Sequence, residues 1–180
     1  MTQKKIAVVY FSKNGSTQRY AQWIARSCKA DLFSYTEADI DQLAQYDTVV
    51  YGGCVYSGAI QGIRFIKDNR DLLTGVRLAV FAVGLTQPGD DAAFEEVLNR
   101  NFTPEEREGI TFFHFPGAID YKKLSFIQRG MMRMLKKAIQ KRPAGNRSQM
   151  EQYILDSYGG RVDFTNFAYV KPLADWACGE

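Results

Sequence analysis

Six consecutive residues near the N-terminus, Ser12, Lys13, Asn14, Gly15, Ser16 and Thr17, have the chemistry to hold an anion. Gly15 lets a ligand come close to the backbone, and Ser12, Asn14, Ser16 and Thr17 add hydroxyl and amide donors. Directly before them the apolar run VVYF (8–11) stops, and directly after them a helical pattern begins. The first amides of that helix would point into the loop, where the helix dipole favours negative charge, and a phosphate monoester suits such a cradle. A plain helix N-cap accounts for the same residues, since a Ser or Thr with a glycine is enough for one. The loop is not a G-x-x-x-x-G-K-[ST] Walker loop or a G-x-G-x-x-G dinucleotide loop. No acidic cluster and no aspartate follows the first strand, as a phosphate-accepting receiver would need.

The elements that must position this loop follow from hydrophobic periodicity. Five apolar, β-branched runs read as strands, at 5–11, 31–36, 48–53, 77–85 and 110–119. Between them lie helical patterns at 17–29, 61–73 and 91–102, with one or two helical turns at 39–45. A last helix falls within 164–178, where Pro172 must kink or divide it. Nearly continuous apolar strands alternating with helices predict an α/β fold, a doubly wound five-stranded parallel sheet with helices on both faces. Ligands in such sheets bind beyond the carboxyl ends of the strands, at the topological switch point. That places 12–17 beside 52–58, 84–90 and 116–121.

The bulk properties set bounds. The chain has 180 residues, is 46% hydrophobic and 24% charged, and suits a single domain, 1–180, with its own core. Its N-terminal apolar run is too short for a signal peptide and no stretch is long enough to span a bilayer, so a cytoplasmic location is expected. Cys28, Cys54 and Cys178 are widely spaced, and with one histidine a zinc site is not expected. The thiols read as small packed hydrophobes and His114 as a packed strand residue.

Charge is uneven. Residues 121–142 carry eight basic residues and no acid, which leaves 15 basic against 20 acidic residues elsewhere. On a helical wheel Leu124, Ile127, Met131, Met132, Met134, Leu135, Ala138 and Ile139 fill one arc of about 160°. Arg129, Arg133, Lys136, Lys137 and Lys141 lie opposite, and only Phe126 breaks the pattern. Three readings of this basic helical insert (about 121–147) stand side by side. It packs on the body through its apolar stripe, it lies on an anionic membrane at the inner face, or it docks an acidic protein or anionic substrate. No nucleic-acid-binding motif accompanies the charge.

S-x-N-G-S-T after a first strand resembles the phosphate loop of the flavodoxins, T/S-x-T/S/N-G-x-T, and the element order over 4–119 is similar to theirs. The resemblance implies a flavodoxin-like fold and FMN as cofactor. By that resemblance Ser12 to Thr17 surround the 5′-phosphate, with Lys13 giving its amide and its side chain looking outward. Gly53, Cys54, Val55, Tyr56, Ser57 and Gly58 would lie along one face of the isoalloxazine, with Tyr56 stacking on it. Gly84, Leu85, Thr86, Gln87, Pro88 and Gly89 would line the pyrimidine edge. The chain departs from electron-carrier flavodoxins in two ways: 84–90 holds no aromatic residue, and the protein is not strongly acidic.

Within the superfamily, GAIDYKKLSFIQRGMMRMLKKAIQKR (117–142) and VDFTNF (162–167) resemble the basic insert and the later V-D-[YF]-T-[DN]-[WF] segment of the flavodoxin-type protoporphyrinogen dehydrogenases. That implies an FMN-dependent, quinone-linked oxidoreductase with a redox partner protein or quinone as acceptor. The alternative is an electron carrier between protein partners. Catalytic side chains are not needed for either, and none is assigned.

Overall fold

The computed structural model describes residues 4–86 and 89–179. In chain order its regular elements are β1 (Ile6–Phe11), α1 (Ser16–Cys28), β2 (Asp31–Ser34), α2 (Ile40–Leu43), β3 (Thr48–Tyr56), β4 (Ala59–Ile60), α3 (Arg64–Lys67), β5 (Arg77–Gly84), α4 (Asp91–Asn101), β6 (Ile110–Pro116), β7 (Ala118–Asp120), α5 (Phe126–Gln140), α6 (Gln149–Asp156), β8 (Arg161–Asp163) and α7 (Lys171–Cys178). They fall into two compact units, one of 118–164 and the other of the remaining chain.

In the larger unit β2, β1, β3, β5 and β6 pair in that order, all parallel, so the five strands run 2-1-3-4-5 by their rank in the sequence. Alternation along each strand sends successive side chains to opposite faces. Val8, Val50, Phe81 and Phe115 meet Tyr20, Ile24 and Ala25 of α1 and Leu173 and Ala177 of α7. Val9, Val49, Tyr51, Val80 and Ala82 meet Ile63, Ile66 and Leu98 on the other face. Strands covered on both faces need apolar residues at every position, which is why they read as unbroken apolar runs. Gly52 is fixed by a close approach: the Phe81 ring of the next strand lies where its Cβ would stand.

Two elements differ from the periodicity, and a third follows it. The helix expected over 61–73 is broken into α3 and a 3-10 turn at Arg70–Leu73. Gly62 (φ +72°) delays its start, and the Asn69 side-chain amide donates to the Phe65 carbonyl at 2.8 Å, ending the first turn locally. The third strand was expected to end at 53 but runs on to Tyr56, turns through Ser57 and Gly58, both at positive φ, and returns as β4. Two such residues are the signature of a tight type I′ hairpin. Pro172 does divide the last helical segment: a 3-10 turn at Phe167–Val170 precedes α7, where the proline sits in the first turn.

The smaller unit pairs β7 with β8 antiparallel and packs α5 beside α6. Its core includes Ile119, Tyr121, Leu124, Met132, Ile139, Met150, Ile154 and Val162. Among the described residues no helix is long and apolar enough to cross a membrane.

Candidate functional site

The carboxyl ends of β1, β3, β5 and β6 lie along one edge of the parallel sheet, so the loops that follow them share it. The order 2-1-3-4-5 puts the switch point between β1 and β3, beside 12–17.

The 12–17 loop turns tightly into α1. Gly15 is the N-cap of α1, at φ +88°, with no side-chain cap hydrogen bond. The glycine of the plain N-cap account is therefore in place at the start of α1, and among the described residues no side chain caps it. The Ser12 hydroxyl instead accepts from the Gly15 amide at 3.1 Å, closing the turn. A Cβ on Gly15 would meet open space within 4 Å, so the positive φ and not crowding demands glycine here. Thr17 is almost fully buried, and its Oγ1 has no partner among the described residues. A buried hydroxyl without a partner is costly, and a bound acceptor would remove that cost. Lys13, Asn14 and Gly15 are exposed, and Ser16 is buried with Thr17.

The second expected segment is strand and hairpin. Gly53, Cys54, Val55 and Tyr56 belong to β3 and Ser57 and Gly58 to its turn. Asn101 at the end of α4 holds this hairpin: its Oδ1 accepts from the Ile60 amide at 2.8 Å and its Nδ2 donates to the Gly58 carbonyl at 2.8 Å. Periodicity assigned Asn101 to a helix end only. Lys13 is exposed, as expected, yet its side chain does not simply look outward: Nζ sits 4.4 Å from the centroid of the Tyr56 ring. This cation–π contact joins the first loop to the second. Burial pushes the Cys54 thiol up, against a smaller opposing pull from the Lys13 amide.

The third segment follows β5. Gly84 ends that strand, and its carbonyl accepts from the Gly117 amide at 2.7 Å. A Cβ at Gly84 would come within 3.3 Å of Val55, so the second and third segments touch. Leu85 and Thr86 come next, Gly89 has φ +85°, and Asp90 caps α4. Gln87 and Pro88 lie outside the described residues. His114 on β6 packs against Phe94, ring centroids 5.2 Å apart, with its Nε2 buried and without a partner among the described residues. Burial pushes its pKa down to about 4 against the opposing Asp90 carboxylate, so at neutral pH it is an uncharged packed ring, in keeping with the strand reading.

One relationship had no signal in spacing. Tyr20 Oη donates to the Pro116 carbonyl at 2.8 Å and accepts from the Asn166 amide at 3.3 Å. Beside it Arg19 donates to the Thr165 hydroxyl at 2.6 Å. The TNF stretch of 162–167 thus docks on the first turns of α1.

A doubly wound parallel sheet with a donor-rich loop at its switch point defines a class of α/β proteins that bind ligands at the sheet edge. The family model described as a flavodoxin domain matches residues 7–145, and the chain belongs to that family. No curated protein matches it. Among solved structures, the chain is similar to oxidised flavodoxin 2 of Bacillus cereus (23% identity over 61% of this chain and 84% of that one, TM-score 0.39). It is also similar to two-electron reduced flavodoxin of Megasphaera elsdenii (18%, 61% and 82%, 0.42). A third similar structure is a flavodoxin, WrbA-like protein from Agrobacterium tumefaciens (14%, 97% and 99%, 0.41).

Proposed function

We propose that the protein is an FMN-dependent oxidoreductase that holds the cofactor at the edge formed by 12–17, 53–58 and 84–89. The observation that carries this is the first loop: a glycine N-cap at positive φ, a helix start with no side-chain cap, and a buried, partnerless Thr17 hydroxyl. These fit a phosphate monoester. Ser12, Asn14, Ser16 and Thr17 would supply donors, with the α1 dipole adding to them. Tyr56 would flank the ring system, and Lys13 on its other side would keep it in place. When bound, FMN supplies the electron-transfer chemistry, and the chain supplies binding, orientation and electrostatics.

The more specific reading is a quinone-linked enzyme of the protoporphyrinogen dehydrogenase type, supported by the basic insert and by the lack of an aromatic in 84–90. The test is a titration of purified protein with FMN, followed by anaerobic reduction and mixing with a menaquinone analogue. Quenching of flavin fluorescence that is lost in Gly15→Asp supports the cofactor site. Fast reoxidation by the quinone, with turnover of a porphyrinogen, supports the enzyme. Reoxidation only by one-electron protein acceptors assigns an electron carrier, and no flavin binding overturns the reading.

A further inference from the structure

Helix α5 is fixed at both ends. A capping box closes its start, with Ser125 Oγ accepting from the Gln128 amide at 3.3 Å and Gln128 Oε1 from the Ser125 amide at 2.8 Å. Arg147 closes its end by donating to the Ile139 and Gln140 carbonyls. Only part of its apolar arc faces inward, through Met132 and Ile139. Ile127 and Met134 are 68% and 73% exposed, and Phe126 at the first position is 92% exposed. Ile127, Met131, Met134 and Ala138 follow the i, i+4, i+7, i+11 spacing of a single helix stripe. Phe126, Arg133 and Lys137 form the neighbouring stripe, so cations and an aromatic ring flank the exposed apolar line.

The cations are not neutralised locally. The unit of 118–164 holds ten basic and four acidic residues. All four acids are engaged within it: Asp120 with the Lys122 amide, Glu151 with Arg142, Asp156 with Gln152 and Asp163 with Arg161. Lys136 is turned inward over Tyr158 at 4.1 Å, whereas Lys122, Lys123, Arg133, Lys137 and Lys141 are exposed.

We infer that this face of α5 lies on an anionic lipid surface, with Phe126, Ile127 and Met134 in the headgroup–acyl boundary and Arg133 and Lys137 at lipid phosphates. A helix with adjacent apolar and cationic stripes matches such an interface, where low polarity and negative charge lie side by side. A second copy would bring the same cations together. This inference stands apart from the cofactor reading.

The experiment is co-sedimentation of the full chain with vesicles of equal phosphatidylglycerol and phosphatidylcholine, and with phosphatidylcholine alone. The expected result is binding to the anionic vesicles only, weakened by salt. Arg133→Ala with Lys137→Ala lowers partitioning about 30-fold, at roughly fivefold per basic side chain. Phe126→Ser with Met134→Ser lowers it about tenfold or more. Both positions are exposed, and an unchanged thermal transition confirms that the variants fold. Equal binding to both vesicle types overturns the inference, as does full binding by the apolar variant. A wild type that ignores vesicles but binds polyglutamate assigns the face to an acidic polypeptide instead.

Discussion

The sulfur of Cys178, the last residue of α7, lies 2.8 Å from the sulfur of Cys28, the last residue of α1. Both are thiols in this structure, and Cys28 is buried. Two thiols at that separation are positioned for exchange with a small disulfide. Oxidised glutathione should join them, with two thiols oxidised and one disulfide reduced to two glutathione thiols. Thiol titration should then count only Cys54. The cross-link should raise the melting temperature, by the equivalent of about 2–4 kcal/mol. Cys28→Ala should abolish both effects. A full count of three thiols after oxidation of the wild type would refute the prediction.

Thr17→Val separates folding from cofactor binding. The substitution removes a buried hydroxyl that has no partner among the described residues and keeps the shape, so the cofactor-free protein should be as stable or slightly more stable. FMN affinity should fall about tenfold, the value of one hydrogen bond at roughly 1–1.5 kcal/mol. Equal FMN affinity in the two proteins, measured by fluorescence titration, would remove Thr17 from the site.

Tyr20→Phe tests the docking of 165–167 on α1. It deletes a donor to the Pro116 carbonyl and an acceptor for the Asn166 amide at a fully buried position. A loss of about 1–3 kcal/mol is expected in denaturant unfolding. The stacking of the ring on Phe115, centroids 4.8 Å apart, should survive, so a larger loss would point to a wider rearrangement.

His114 predicts a pH dependence. Its folded pKa, about 4, lies below the ordinary 6.5, so between those values the unfolded chain binds a proton that the folded chain does not. Stability should therefore be flat above about 6.5 and fall as pH drops toward 4, by on the order of 2–3 kcal/mol in total. His114→Phe should remove this slope in melting curves taken across that window. An unchanged slope would assign the acid sensitivity to other groups.

What was legible in the residues was local. Strands covered on both faces announce themselves as apolar runs, and the loop at 12–17 is read from adjacent side chains. The hairpin after β3 was not legible, because Ser57 does not advertise a positive φ and the lock on the turn, Asn101, stands on a helix more than 40 residues later. Likewise the wheel of α5 displayed an apolar arc of about 160° but not which part of it would be covered. Only packing decided that Met132 and Ile139 turn in while Ile127 and Met134 stay out.

The amino-acid sequence by itself determined the parallel α/β sheet, the position of the 12–17 loop after its first strand and the basic helix, because each rests on periodicity or on neighbouring residues. The tertiary structure alone decided that Cys28 meets Cys178, that Tyr20 joins Pro116 to Asn166, and that Lys13 covers Tyr56. Those pairs are 43 to 150 residues apart, and the tertiary fold, not any local preference, brings them within contact distance.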